Sequence, residues 1–196
     1  LLSVYVDDNV ISAKCRHDMV SELKRILDVH PGTVVKSEKI GTGIMRDVLG
    51  ADHYYDLEKK YFSITMTNYI QKLAARHHML GCGTVTSPSF NEEELLDDNE
   101  EVKFPLRELI GGLQWVANSC RPDIAQPTNT VARFAGSGKV TKKLVLAAKK
   151  ILKYLISTAD QGLVWSEENF KSFQQVYSEL SGDTLKDFAN FSDASF

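Results

Sequence analysis

The sequence predicts an α+β chain, with short antiparallel strands gathered early and helices in the remainder. Three observations predict it. Apolar runs at residues 1–6 and 9–13 flank Asp7-Asp8, a pattern that reads as a strand hairpin with an acidic tip. Residues 34–65 alternate in character, carry many β-branched and aromatic side chains, and place Gly41, Gly43 and Gly50 at expected bends. From residue 66 onward, apolar residues recur at helical spacing.

After the hairpin, Met19, Val20, Leu23, Ile26 and Leu27 form one face of an amphipathic helix over residues 17–30, which Pro31-Gly32 ends. Strands are expected around Arg46–Leu49, His53–Leu57 and Tyr61–Ile64, and Thr65 or Thr67 can cap a helix running to about Met79. Residues 81–104 read as a linker, because Gly81, Gly83 and Pro88 open it and Asn91–Glu101 carries seven carboxylates. Such a run of like charge is expected to be a solvated loop. Pro105 suits a helix first turn, and Leu106, Leu109, Ile110, Leu113, Val116 and Ala117 share a face behind it. Trp115 falls on the opposite side, so two surfaces of this helix should be covered. Helices are expected at about Asp123–Phe134 and Thr141–Ser157, then a strand at Gly162–Trp165, an irregular polar segment, and a strand at Phe188–Asp193.

The 196 residues, 43% hydrophobic and 25% charged, have the composition of a soluble globular chain. A net charge of −3 argues against a uniformly basic binder, yet leaves local basic faces open. Cys15, Cys82 and Cys120 are odd in number and widely spaced, which suits reduced thiols rather than disulfides or a zinc site. No stretch is long and apolar enough for a membrane span, and no membrane association is expected. The chain begins in one apolar run and stops in another, so both ends are expected to be cuts in a longer polypeptide.

Chemistry concentrates in two places. Adjacent carboxylates near an apolar core are costly to bury, and a divalent cation offsets that cost; Mg²⁺ favours oxygen ligands of this kind. On spacing alone, Asp7-Asp8 reads more readily as ordinary turn chemistry than as a metal site. The second place is a helix face. Lys139, Lys142, Lys143, Lys149, Lys150 and Lys153 fall, at about 100° per residue, within roughly a third of the circumference. Leu144, Ala148, Ile151 and Leu155 lie opposite and should face the core. A stripe of this kind tracks a phosphate backbone, or is simply a solvated lysine face. His77-His78 cannot put both rings on one helix face, and no serine sits in a nucleophile elbow.

Taken with its neighbours, Tyr5-Val6-Asp7-Asp8 resembles the polymerase signature of reverse transcriptases, in the variant common in copia-type retrotransposons. Further blocks follow in that family's order: Leu49-Gly50; Tyr69-Ile70 through Met79; Leu109-Ile110-Gly111 with Leu113, Ala117-Asn118 and Arg121-Pro122-Asp123-Ile124; Ala147-Ala148-Lys149 with Leu152, Tyr154-Leu155, Thr158 and Gly162-Leu163; and Phe191-Ser192-Asp193-Ala194. Val48 and Asn9 depart from the family's usual aromatic and aliphatic residues.

The resemblance implies a partial polymerase palm over residues 1–65, made of antiparallel strands plus a helix. Thumb-like helices would follow over 66–135, including the acidic linker 81–104. A connection helix and the first strand of a ribonuclease H-like domain would occupy 136–196. It implies that Asp7 and Asp8 are catalytic and hold Mg²⁺ or Mn²⁺. Tyr5, Leu49, Gly50 and the Lys142, Lys143, Lys149, Lys150 and Lys153 face would contact nucleic acid, while Asp193 would be the first carboxylate of an incomplete ribonuclease H site. The parent enzyme would use an RNA template, a DNA primer and deoxynucleotides, beside the rest of a pol polyprotein, inside the cell in virus-like particles or the nucleus. Its third metal carboxylate belongs on a strand before Leu1, so the chain alone is expected to be inactive. The competing expectation is a non-catalytic nucleic-acid-binding or assembly module derived from such an element. Oligomeric state is not legible.

Overall fold

The structure, a computed structural model, describes residues 2–5, 8–11, 15–96, 100–136 and 138–181, with the backbone alone for 2–5, 8–10 and 180–181. They belong to two compact units, Leu1–Glu38 and Lys39–Phe196.

In the first unit, β1 (Leu2–Tyr5) and β2 (Asp8–Ile11) pair antiparallel, with Leu2 opposite Ile11 and Tyr5 opposite Asp8. Helix α1 (Arg16–Val29) follows, its first turn capped by the Cys15 sulfur, which accepts from the Asp18 N–H at 3.4 Å. The helix ends where Pro31 forces its predecessor out of helical geometry: His30 is extended at φ −125° and ψ 95°. No residue of α1 is fully buried. Its apolar stripe, with Leu23, Ile26 and Leu27, is only half-covered.

The second unit is built on a five-stranded sheet of order β3-β4-β5-β6-β7. These strands are β3 (Glu38–Ile40), β4 (Gly43–Val48), β5 (Ala51–Asp56), β6 (Tyr61–Thr65) and β7 (Leu163–Ser166). Strands β4 to β6 form an antiparallel meander, and β7 returns from far along the chain to pair antiparallel with β6. Gly43 was expected at a bend, yet it lies inside β4. The Tyr54 ring from β5 covers it so closely that a Cβ there would fall 2.3 Å from the ring. Gly162 serves a similar purpose before β7, where a Cβ would meet the Ile64 carbonyl oxygen at 2.0 Å. The β5–β6 turn is organised by the buried Asp56 carboxylate, which accepts from the Thr42 hydroxyl and from the Glu58 and Lys59 N–H groups. The Thr42 hydrogen bond, against the pull of burial, holds that carboxyl below the usual range.

Helices α2 (Thr67–Arg76), α4 (Leu106–Ser119), α5 (Ala125–Ala135) and α6 (Lys142–Ser157) enclose the core. Ile70, Leu109, Leu113, Val116, Val131, Ile151, Leu152 and Leu155 are all inaccessible to solvent there. Helix α2 takes no side-chain cap; the Thr67 hydroxyl instead donates to the Ala159 carbonyl at 2.8 Å. A 3₁₀ turn, Pro122–Ile124, joins α4 to α5. Trp115 is half-buried against the same core, on the far side of α4 from the main apolar stripe.

Two further expectations need correction. The segment after β7, expected to be irregular, is a helix, α7 (Glu167–Ser181), with Glu167 and Glu168 in its first turn. The Ser166 hydroxyl accepts from the Asn169 N–H at 3.1 Å, and Phe170, Phe173, Val176 and Tyr177 recur at helical spacing. The acidic linker is also not a plain solvated loop. It contains a one-turn helix, α3 (Glu93–Leu96), whose Leu95 is buried, and Glu101 forms a β-bridge with Thr141. Opposite charge on α5 and α6 offsets the repulsion within the run. The strand expected at Phe188–Asp193 lies outside the described residues.

Candidate nucleic-acid interface

Within the first unit, Tyr5 ends β1 and Asp8 opens β2 directly opposite. The tetrapeptide Tyr5-Val6-Asp7-Asp8 therefore spans the connection of an antiparallel hairpin. Val6 and Asp7 lie outside the described residues, as does Asp193. Among the described residues, no group of three or more His, Cys, Asp or Glu is placed to hold a metal ion.

In the second unit, Leu49 and Gly50 form the β4–β5 turn with φ of 56° and 81°. Two positive φ values in a two-residue loop match the right-handed twist of the flanking strands. The Asp47 carboxylate steadies the turn by accepting from the Gly50 N–H at 3.0 Å. Across the hairpin from Asp47 sits Asp52, buried, with the Asn68 amide at 3.5 Å. Burial, and then the nearby Asp47 charge, push the Asp52 carboxyl above its ordinary value. His53 and Lys72 act on Asp52 in the opposite sense, favouring its charged form.

The lysine face of α6 lies in the same unit. Leu144, Ala148, Ile151 and Leu155 are buried on its core side, as the spacing predicts, and Lys142 and Lys143 are exposed. Lys139 lies before the helix and is exposed, whereas Lys149, Lys150 and Lys153 are half-buried, because residues 82–96 and 100–104 run alongside them. Lys150 donates to the Ser89 carbonyl at 2.5 Å, and Lys149 stands 4.9 Å from the centre of the Phe104 ring. Lys142 reaches both oxygens of Glu100 at 3.2 Å. A Cβ on Gly83 would lie 3.7 Å from the Lys153 ammonium nitrogen. Helix α5 adds a cation that the sequence did not single out, Arg133, paired with Glu92 at 2.6 Å. Its sequence signal was available: seven carboxylates precede a lysine-rich helix, and opposite charges of that density are apt to meet.

The Arg121-Pro122-Asp123-Ile124 block is a structural pin. Arg121, 2% exposed, donates to both oxygens of Asp123 at 3.0 and 2.8 Å. It also donates to the carbonyl and hydroxyl oxygens of Thr158 at 2.7 and 2.8 Å, fastening the end of α4 to the end of α6. Tyr154 completes the group, its hydroxyl donating to Asp123 at 2.9 Å. Burial favours the neutral Asp123 carboxyl, but the hydrogen bonds from Arg121 and Tyr154 outweigh it and hold the group low. Next to it, burial pushes the Cys120 thiol up to about 11, so this cysteine is inert packing.

No protein-family model matches the chain, and no solved structure matches it. Over 194 residues, covering 95% of this chain, it is 24% identical to a putative transposon Ty5-1 protein of Saccharomyces cerevisiae. The likeness supports a transposon origin. The chain spans 58% of that relative's length. No helix among the described residues is long and apolar enough to cross a membrane.

Proposed function

We propose that the chain is part of a copia-type retrotransposon reverse transcriptase, an RNA-directed DNA polymerase. The carrying observation is the β1–β2 hairpin, which sets Tyr5 against Asp8 at the two ends of a Tyr-x-Asp-Asp sequence. Likeness to a transposon protein over 95% of the chain supports the same reading. So does the order of the blocks, from Tyr5 through Arg121-Pro122-Asp123-Ile124 to Thr158.

On this reading the first unit is the end of a palm. Asp7 and Asp8 supply carboxylate oxygens, a donor set that suits Mg²⁺ or Mn²⁺. Bound there, such ions would activate the primer 3′ hydroxyl and steady the leaving pyrophosphate. Tyr5 would lie beside the primer–template, Leu49-Gly50 would support the primer end, and the α6 lysines would follow the backbone of the RNA–DNA hybrid. Asp193 would open a ribonuclease H-like site. Asp7 and Asp8 are what the residues of this chain would contribute to that metal site.

The test is primer extension on an RNA template by the chain joined to its upstream genomic segment. Deoxynucleotide addition that Asp7→Asn lowers by more than about a hundredfold is expected. No extension by the longer chain, or extension indifferent to Asp7→Asn, overturns the proposal. A second reading, a non-catalytic nucleic-acid-binding module, is favoured by one feature: the basic face of α5 and α6 stands complete within the second unit, with no call on the hairpin. Hybrid binding without activity in the longer chain would select it.

A further inference from the structure

The basic face already holds an anionic partner, and that partner belongs to the same chain. Glu92 accepts from Arg133 at 2.6 Å and from the Thr130 hydroxyl at 3.1 Å. Glu100 accepts from Lys142, and its carbonyl takes the Lys142 N–H at 2.9 Å. The Ser89 carbonyl receives Lys150. In geometry these acceptors do what phosphate oxygens do: they line up along successive cations of α5 and α6.

The contacts fall into two kinds that differ in strength. Apolar anchors hold the acidic stretches to the body: Leu95 is buried, and Phe90 and Phe104 pack against the core. The ionic contacts are surface pairs. Arg133 and Glu92 are 68% and 42% exposed, and Lys142 and Glu100 are 57% and 61% exposed. Exposed pairs contribute little and are screened by salt. A duplex backbone presents a dense row of charge and gains further from counterion release. Carboxylates in this position are therefore displaceable, while the apolar anchors keep the segment tethered close by.

We propose that the Glu92 and Glu100 carboxylates are intramolecular competitors for a phosphodiester-binding face made by Arg133, Lys142 and Lys150. This rests on the nucleic-acid reading above and adds Arg133, together with a built-in threshold for binding. Weak or non-specific anions would meet a face already occupied. A hybrid duplex, which engages several cations at once, would exchange the carboxylates for phosphates.

The test compares the 196-residue chain with two variants of equal charge change, Glu92→Gln/Glu100→Gln and Glu93→Gln/Glu94→Gln. Binding of a labelled RNA–DNA hybrid is followed by fluorescence anisotropy across a salt series. The first variant should bind about three- to tenfold tighter at low salt, with a salt slope steeper by about one to two. The second is altered at carboxylates on α3, whereas the ion pairs of the face seen among the described residues go to Glu92 and Glu100; it should gain less than half as much in the logarithm of affinity. Equal gains in both variants, or none in the first, overturn the competition. A wild-type chain that binds, and loses affinity on Lys142→Gln/Lys149→Gln/Lys150→Gln, keeps the interface reading alive whichever way the competition falls. A complete lack of binding by every chain overturns both.

Discussion

Leu49 holds a positive φ of 56° in a turn that ordinarily takes Asn or Gly. For a residue with a Cβ this region costs about 1–2 kcal/mol, and the half-buried side chain only partly offsets it. Leu49→Gly should therefore raise the urea midpoint by an amount equivalent to about 0.5–1 kcal/mol. A lower midpoint would mean that the leucine side chain is held by packing stronger than the strain. His77 makes a second residue-level case. It is 5% exposed, its Nε2 has no hydrogen-bond partner among the described residues, and its ring lies 5.7 Å from that of Phe104. Burial lowers its pKa below the ordinary 6.5. The unfolded chain then takes up a proton that the folded chain refuses, so stability falls as pH drops below 6.5 and is flat above it with respect to this group. Burial lowers His53 in the same direction, whereas the raised Asp52 works oppositely, in the carboxylate range, losing stability as pH rises there. His77→Leu should flatten part of the acid-side slope in a series of urea titrations between neutral pH and pH 5. An unchanged slope would place the titration elsewhere. Neither feature was legible in the sequence, because a positive φ and an orphaned ring nitrogen depend on neighbours that only the fold supplies.

Among elements, helices α4 and α6 were legible because each buries a continuous face of Leu, Ile, Val and Ala, which stamps a helical period on the sequence. Helix α5 buries Pro127, Thr128, Thr130 and Val131 instead, and was legible from the breaks that bound it, Arg121-Pro122 before and Gly136 after. Helix α7 was not. Its apolar residues are diluted by polar ones, and the helix remains largely exposed, with Phe170, Phe173 and Val176 all at least 39% accessible. The acidic segment was misjudged for a related reason: repulsion within the run is local, whereas the Arg133 and Lys142 charges that relieve it come from later helices. A paired prediction belongs at this scale. Gly111 and Gly112 are neighbours on α4, but a Cβ on Gly111 meets nothing within 4 Å, while one on Gly112 would lie 2.7 Å from Leu73 on α2. Gly111→Ala should stabilise by up to about 1 kcal/mol through helix propensity. Gly112→Val should destabilise by about 1–3 kcal/mol by forcing α2 and α4 apart. Thermal unfolding of the two variants decides; matching shifts would show that α2 does not pack this closely.

For the molecule as a whole, the chain-long order of strands and helices was largely visible, yet the pairing of β7 with β6 was not. Its register, Phe62 opposite Trp165 and Ile64 opposite Leu163, joins residues about a hundred positions apart. Such pairing leaves no periodic mark near either strand. It stacks the Phe62 and Trp165 rings at 5.2 Å and puts residues expected to belong to a separate connection, 136–196, on the sheet formed by residues 38–65. The hairpin and α1 belong to the unit Leu1–Glu38, and the basic face to the unit Lys39–Phe196. The catalytic reading thus depends on the first unit, and the binding reading on the second. The ion itself gives the most direct measurement. Fe²⁺ in place of Mg²⁺, with ascorbate and peroxide, releases hydroxyl radicals wherever it is bound on the upstream-extended chain holding an RNA–DNA hybrid. The account predicts backbone scission centred on Asp7 and Asp8 and abolished by Asp7→Asn. Scission at other positions, or scission at these that persists in Asp7→Asn, would contradict it.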